Sequence, residues 1–157
     1  MSVRAFPIVL ISLTLAACGG AQDRYGGPGA GYAEPPATVL SGVDWNKAEA
    51  VTVDLESFDF GPSVLTFHAG QPYTLTLVNK SSSSHTFTAP EFFRSIAVRS
   101  LSGQRDGGEM QQLRTIGLKG GETRRLEFVP VQKGSYHLEC SEPLHALFGM
   151  TGTLRIE

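Results

Sequence analysis

The fold of this chain is decided by residues 134–156, which read GSYHLECSEPLHALFGMTGTLRI. Apolar and polar residues alternate through Tyr136–Cys140 and again through Leu154–Ile156. Alternation with a period of two is typical of β-strands that bury one face. The stretch therefore predicts two strands joined by a short loop, with the Cys140 side chain facing the core at the end of the first strand.

The loop between these strands carries two further residues that bind soft metals. His145 follows Cys140 by five positions, and Met150 follows His145 by five. Met150 has the same strand parity as Leu154 and Ile156, so its thioether is expected to face the core. A thiolate, an imidazole and a thioether are thereby directed to one place.

A second imidazole has to come from elsewhere in the chain, and His85 is the candidate. It follows Asn79 and the Ser81–Ser84 loop at another expected strand boundary, and it shares a face with Phe87. Two His and one Cys with a weak axial Met describe a blue (type 1) copper site. Zinc is disfavoured, because structural zinc sites generally use four Cys or His ligands. We predict one mononuclear copper ion with four ligands: His85, Cys140, His145 and Met150.

Outward from this stretch, the same alternation recurs in Val51–Leu55, Tyr73–Leu77 and Leu126–Phe128. Turn residues separate the segments: Gly61-Pro62, Ala69-Gly70, Gly120-Gly121 and Lys133-Gly134. Many short strands with this punctuation predict an all-β, antiparallel two-sheet sandwich. Residues 90–112 lack the pattern, and we expect a short helix followed by an irregular loop there.

The motifs resemble those of a known family. The Cys-x4-His-x4-Met stretch resembles the C-terminal signature of the cupredoxins, and its spacing is most similar to that of rusticyanin-like members. Residues 51–87 resemble the N-terminal half of the family in four short motifs: Phe60-Gly61-Pro62, Ala69-Gly70, Val78-Asn79 and His85-Thr86-Phe87. The resemblance implies a Greek-key β-sandwich with copper near one end.

The resemblance also implies roles for residues around the ligands. Thr86 is expected to donate its backbone N–H to the Cys140 sulfur, and Asn79 is expected to support the site from behind the ligands. Leu144 departs from the glycine that is common before the second His of the family. That departure leaves the shape of the loop open at this point.

The N-terminus resembles a bacterial lipoprotein signal peptide over residues 1–17. Arg4 precedes an apolar stretch that is too short for a comfortable membrane span, and the stretch ends in Leu15-Ala16-Ala17-Cys18. Lipidation is expected at Cys18, with an ordinary cleavable signal as the alternative. Residues 18–45, which are rich in Gly and Pro, are expected to be a flexible linker, and residues 46–157 the domain.

The cysteine count supports the metal hypothesis. The chain has two cysteines, so lipidation of Cys18 leaves Cys140 without a disulfide partner in an oxidising compartment. Copper coordination would protect such a thiol. By resemblance to enteric lipoprotein sorting, Gly19 after the lipidated cysteine favours the outer membrane, facing the periplasm.

Composition and the remaining histidines narrow the function. A net charge of −2 gives no reason to expect nucleic acid as a partner. His68 and His137 are expected at the surface, and the neighbours of Cys140 are Glu139 and Ser141 rather than the His that relay electrons in copper enzymes. Enzyme activity is therefore not expected.

Two functions can use this ligand set, and the first is favoured because the sequence shows no Met- or His-rich tail for copper transfer. The first is single-electron transfer by a monomeric domain between periplasmic or membrane-associated redox proteins such as cytochromes or oxidases. His145 would be the electron port, with apolar neighbours suited to weak docking. The alternative is copper binding, delivery or resistance, with copper-handling proteins as partners.

Overall fold

The computed structural model describes residues 36–102, 104–105 and 113–157. The helices in these ranges are α1 (Pro36–Leu40), a 3-10 helix (Trp45–Lys47) and α2 (Pro90–Arg94). The strands are β1 (Glu49–Glu56), β2 (Asp59–Gly61), β3 (Val64–Phe67), β4 (Tyr73–Asn79), β5 (His85–Thr88), β6 (Ile96–Leu101), β7 (Gln104–Arg105), β8 (Thr115–Leu118), β9 (Thr123–Pro130), β10 (Gly134–Glu139) and β11 (Thr151–Ile156). None of the helices in these ranges has the length and apolar character that a membrane span requires.

The strands form two sheets that enclose one core. The first sheet has the order β2-β1-β4-β9-β6-β7, and the second has the order β3-β11-β10-β5-β8. Side chains from both sheets meet in a single apolar cluster, in which the rings of Phe67, Tyr73, Phe92 and Phe128 contact one another. The predicted all-β, two-sheet sandwich is confirmed, and its core is rich in aromatic side chains.

Strand direction differs from the prediction, because both sheets are mixed rather than purely antiparallel. β1 runs parallel to β4, and β3 runs parallel to β11. Each of these pairs is joined by a long connection that passes through other strands, which is what parallel pairing requires. Residue alternation could not reveal this, since side chains alternate between the two faces of a strand in either direction of pairing.

The segment expected to be a helix and an irregular loop is more regular than predicted. The short helix is α2, but Ile96–Leu101 form β6, which pairs with β9 inside the first sheet. All residues of β6 except Arg99 are buried. A strand covered on both faces shows no alternation, so the pattern expected of a half-buried strand is missing here. Residues 103 and 106–112 lie outside the described part of the chain.

Folded structure begins earlier than the expected domain start at residue 46. Helix α1 packs against β6, and the Trp45 ring lies 4.5 Å from the guanidinium carbon of Arg99. Residues 36–45 of the expected flexible linker are therefore attached to the first sheet. Their partners are distant in sequence, so composition alone could not indicate the attachment. The expected signal peptide (1–17) and lipidation site Cys18 lie outside the described residues.

Candidate metal centre

Three neighbouring strands of the second sheet bring the predicted ligands to one end of the sandwich. His85 begins β5, Cys140 directly follows β10, and Met150 directly precedes β11. Because β10 is antiparallel to both β5 and β11, its end lies next to the beginnings of those two strands. This topology places Nδ1 of His85 3.9 Å from the Cys140 sulfur, although the two residues are 55 positions apart in sequence.

A compact loop places His145 over the same end. The Cys140 N–H donates to the Met150 carbonyl at 3.0 Å, and the Met150 N–H donates to the His145 carbonyl, also at 3.0 Å. Leu144 has a φ of +69°, the left-handed conformation that glycine adopts without a steric penalty. Leu144 is not a glycine, yet its backbone takes a conformation that favours glycine.

The three donor atoms lie close together and face one another. The Nδ1 atoms of His85 and His145 are 3.2 Å apart. The Cys140 sulfur lies 3.9 Å from Nδ1 of His85 and 3.4 Å from Nδ1 of His145. Cys140 and His85 are buried, while His145 is half-buried. The arrangement is a triangle of two imidazoles and one thiol beneath the loop.

The triangle has the dimensions of a metal site. The point equidistant from the three donor atoms lies about 2 Å from each, close to the length of metal–imidazole bonds (about 2.0–2.1 Å for zinc). Met150, whose backbone is hydrogen-bonded to Cys140 and His145, is fully buried and directly follows the loop. Two imidazoles and a thiolate in a plane with a thioether residue beside them fit one copper ion better than zinc.

The electrostatics of His85 suit a metal ligand. Burial lowers the pKa of His85, and repulsion from the His145 imidazole acts in the same direction, while the Glu142 carboxylate opposes both. The imidazole is therefore neutral at physiological pH, with a lone pair free for a cation.

Comparison with known proteins agrees with this geometry. The profile of the cupredoxin-like domain matches residues 35–154. The chain belongs to the cupredoxin-like family. No curated protein matches the sequence. The profile begins within one residue of α1, so the family domain includes the helix that the sequence placed in the linker.

Solved structures show the same fold at low sequence identity. A dithionite-reduced auracyanin from the photosynthetic bacterium Roseiflexus castenholzii is 15% identical, with a TM-score of 0.52, 70% of this chain covered and 98% of that chain. A multicopper oxidase from Pediococcus acidilactici is also 15% identical, with a TM-score of 0.55, but only 27% of its chain is covered, against 73% of this one. The likeness therefore extends to nearly all of a small auracyanin and to one part of a larger oxidase.

Thr86 of this cupredoxin contacts the thiol twice. Its backbone N–H donates to the Cys140 sulfur at 3.4 Å, the contact that the family resemblance implies. Its hydroxyl oxygen also lies 3.7 Å from the same sulfur and accepts the Ser141 N–H at 2.7 Å. Thr86 thereby connects the strand that begins with His85 to Cys140 and to the residue that follows it.

Asn79 supports the loop that leads to His85. The buried side-chain amide donates to the Ser83 carbonyl at 2.7 Å and to the Lys119 carbonyl at 3.0 Å, while its oxygen accepts the Ser81 N–H at 3.0 Å. These bonds determine the path of the chain from β4 to β5. Asn79 thus acts on the site through the backbone and does not touch the donor atoms.

The remaining histidines lie away from the donors. His68 is exposed beside the turn after β3, and His137 is exposed on the outer face of β10, where its ring lies 3.4 Å from the Glu139 carboxylate. Of the four histidines in the chain, only His85 and His145 belong to the group of donors that the structure brings together among the described residues.

Phe58 is a site residue that the sequence analysis missed. It lies in the turn between β1 and β2, and its ring centroid is 5.1 Å from that of His145 and 5.3 Å from that of Phe148. Together with Leu144, Leu147 and Phe148 it forms the apolar patch, a set of exposed side chains around His145. The β1–β2 hairpin is distant in sequence from the loop, and no local pattern marks Phe58 as its neighbour.

Proposed function

We propose that this protein is a type 1 copper electron carrier that exchanges single electrons with redox proteins. The observation that supports this is the triangle of donor atoms from His85, Cys140 and His145, with Met150 buried beside it. Met150 would serve as the weak axial ligand. A soft thiolate and thioether stabilise Cu(I) while the imidazoles also accept Cu(II), so the site can hold either oxidation state with little rearrangement.

His145 is the proposed electron port. One edge of its ring faces the Cys140 sulfur, and the ring also contacts Phe58 in the apolar patch. The patch exposes 62% of Leu144, 78% of Leu147 and 61% of Phe148. Exposed apolar clusters of this kind mark interaction sites, and a small one suits the brief docking that electron carriers need.

The protein is proposed to transfer electrons without catalysing a reaction. Further copper centres next to a type 1 site need their own imidazoles, and His68 and His137 lie exposed on other parts of the surface. Glu139 and Ser141 flank Cys140 and offer no imidazole for an electron relay. Among the described residues, the one group of His, Cys and acidic side chains placed to hold a metal is His85, Cys140 and His145, which supports a single mononuclear site.

The proposed location is the cell envelope. Lipidation at Cys18 would anchor the protein at the outer membrane, facing the periplasm, and residues 19–35 would separate the lipid from the folded domain. The proposed partners are periplasmic or membrane-associated redox proteins such as cytochromes or oxidases.

The test is the colour and electrochemistry of the copper-loaded full chain. We expect a strong thiolate-to-Cu(II) absorption band and a reversible one-electron wave. Cys140→Ser is expected to abolish the band, whereas Met150→Leu is expected to keep the band and change the reduction potential. His137→Gln, which alters an exposed imidazole away from the donors, is the matched control and is expected to change neither.

Three results would contradict the proposal. A colourless wild-type protein after Cu(II) loading would exclude a type 1 site. An unchanged potential in Met150→Leu would exclude the axial role of the thioether. Rapid loss of Cu(I) to a chelator such as bicinchoninic acid would favour copper delivery, because a carrier must retain its metal in both oxidation states.

A further inference from the structure

Four hydroxyl side chains cluster beside the Cys140 sulfur, on the outer face of the second sheet. Thr86 and Thr88 lie on one face of β5, Thr115 is the cross-strand partner of Thr88 on β8, and Ser141 directly follows Cys140. We call Thr115, Thr88 and Thr86 the threonine chain, because hydrogen bonds connect them in that order. None of these hydroxyls is one of the proposed copper ligands.

Two donors lie within reach of the Thr86 hydroxyl oxygen. The Ser141 N–H donates to it at 2.7 Å, and the Thr88 hydroxyl, 3.1 Å away, can donate either to it or to the Ser141 hydroxyl oxygen at 3.2 Å. A hydroxyl accepts two hydrogen bonds and donates one. The remaining proton of Thr86 has two acceptors within reach, the Cys140 sulfur at 3.7 Å and the Ser141 hydroxyl oxygen at 3.0 Å.

Charge decides between these two acceptors. When a metal is bound, Cys140 is a thiolate, and hydrogen bonds to an ionised acceptor are about twice as strong as those between neutral groups. Ser141 is exposed, so its hydroxyl can bond to water instead. The Thr86 proton is therefore directed to the sulfur.

The hydrogen bonds along the threonine chain favour donation from the Thr86 hydroxyl to the Cys140 sulfur. The single proton of the Thr88 hydroxyl has two acceptors, Thr86 at 3.1 Å and the Ser141 hydroxyl oxygen at 3.2 Å. Because Ser141 is exposed and its oxygen can accept from water, the proposed arrangement has Thr88 donating to Thr86 and Thr115 donating the 2.6 Å hydrogen bond to Thr88. All the donors then point the same way, from Thr115 through Thr88 and Thr86 to the sulfur. Hydrogen bonds in such a row polarise and strengthen one another.

We propose that the Thr86 hydroxyl donates a second hydrogen bond to the Cys140 sulfur, beside the backbone N–H bond, and that Thr88 and Thr115 hold it in that orientation. This inference rests on the proposed function. Hydrogen bonds to the sulfur of a type 1 site tune its potential. A second donor withdraws electron density from the thiolate, which disfavours Cu(II) and raises the reduction potential.

The experiment compares variants of the copper-loaded full chain by voltammetry and visible absorption. Thr86→Val keeps the β-branched shape and the backbone N–H but removes the hydroxyl. We expect a lower reduction potential and a shift of the thiolate-to-copper band to longer wavelength. Thr86→Ser restores the hydroxyl and is expected to bring both quantities back towards wild type.

Two further variants complete the test. Thr88→Val is expected to shift both quantities in the same direction but by less, since it acts only through Thr86. Thr66→Val is the matched control, because Thr66 is an exposed threonine of the same sheet that is paired with Arg155, away from the site. It is expected to leave both quantities unchanged.

The outcomes separate this inference from the proposed function. A blue Thr86→Val protein with the potential and band of wild type would overturn the inference and leave the electron-carrier proposal intact. If Thr86→Val takes up no copper, Thr88→Val decides, and an unchanged potential there overturns the inference. A wild-type protein without the blue band would overturn the proposed function and this inference together.

Discussion

Leu144 has a strained backbone and directly precedes the metal ligand His145. It occupies the left-handed backbone region directly before His145, while 62% of its side chain is exposed. This conformation costs a non-glycine residue about 1–2 kcal/mol. The side chain recovers little of that by burial, so the strain is sustained by the hydrogen bonds that close the loop.

Leu144→Gly is therefore expected to stabilise the copper-free protein. Relief of strain is offset by the extra freedom that glycine gives the unfolded chain, about 0.4–1 kcal/mol. The net increase in the free energy of unfolding is expected to lie between about 0 and 1.6 kcal/mol, measured by urea denaturation.

Leu147→Gly is the matched control for this prediction. Leu147 is also exposed and lies in the same loop, but it does not have a positive φ. The substitution is expected to lower the free energy of unfolding by about 0.5–1 kcal/mol, since only the flexibility of glycine remains. Equal destabilisation by both substitutions would show that Leu144 is not strained.

At the scale of elements, β11 depends on a close approach of two backbones. A Cβ atom on Gly152 would overlap the Ser63 carbonyl oxygen and press on the Leu138 side chain. The Ser63 carbonyl accepts the Thr153 N–H at 2.8 Å, so it cannot move away without losing that bond. The position of β11, and with it that of Met150, therefore depends on residue 152 having no side chain.

Gly152→Ala is expected to lower the free energy of unfolding by about 1–3 kcal/mol, the usual range for overpacking. Gly117→Ala is the matched control, because Gly117 also lies within a strand but has open space around its Cα. It is expected to be neutral or slightly stabilising, because alanine is about 0.5–1 kcal/mol better than glycine within a strand. Thermal or urea unfolding of both variants would measure the difference, and similar stabilities would contradict the close approach.

At the scale of the whole molecule, Asn79 joins the two sheets. It ends β4 in the first sheet, and its amide donates to the Leu118 carbonyl at the end of β8 in the second, at 3.2 Å. The same side chain holds the loop before His85 through the Ser83 carbonyl. A single buried amide therefore contributes both to the packing of the sandwich and to the position of a copper ligand.

Asn79→Ala is expected to lower the free energy of unfolding by about 1–3 kcal/mol, because it leaves buried carbonyl groups without a donor. Copper loss to a chelator is expected to become faster as well, since the loop before His85 loses its support. Asn46→Ala, which removes only an exposed side-chain hydrogen bond to Asp44, is the control and is expected to change neither quantity. Unchanged stability and copper retention in Asn79→Ala would show that this amide does not join the sheets.

Much of the site could be predicted because its pattern is local. Strand alternation determines which face Cys140 occupies, and a short loop limits where His145 can lie. The role of His85 as a ligand was harder to predict, since this residue comes from a strand that is distant in sequence. Its position at a strand boundary and the family resemblance indicated that role. By contrast, β6 was missed because a strand buried on both faces has no alternation.

The sequence by itself determined the fold class, the spacing of Cys140, His145 and Met150, and the type of donor atoms, because alternation and short-range spacing follow from the geometry of a single strand and its loop. Only the tertiary structure decided which strands run parallel, that Phe58 contacts His145, and that three threonines form a row towards the sulfur. Those features depend on how separate strands pair across the sheets. The pairing is governed by the shape of the whole core, which no single segment encodes.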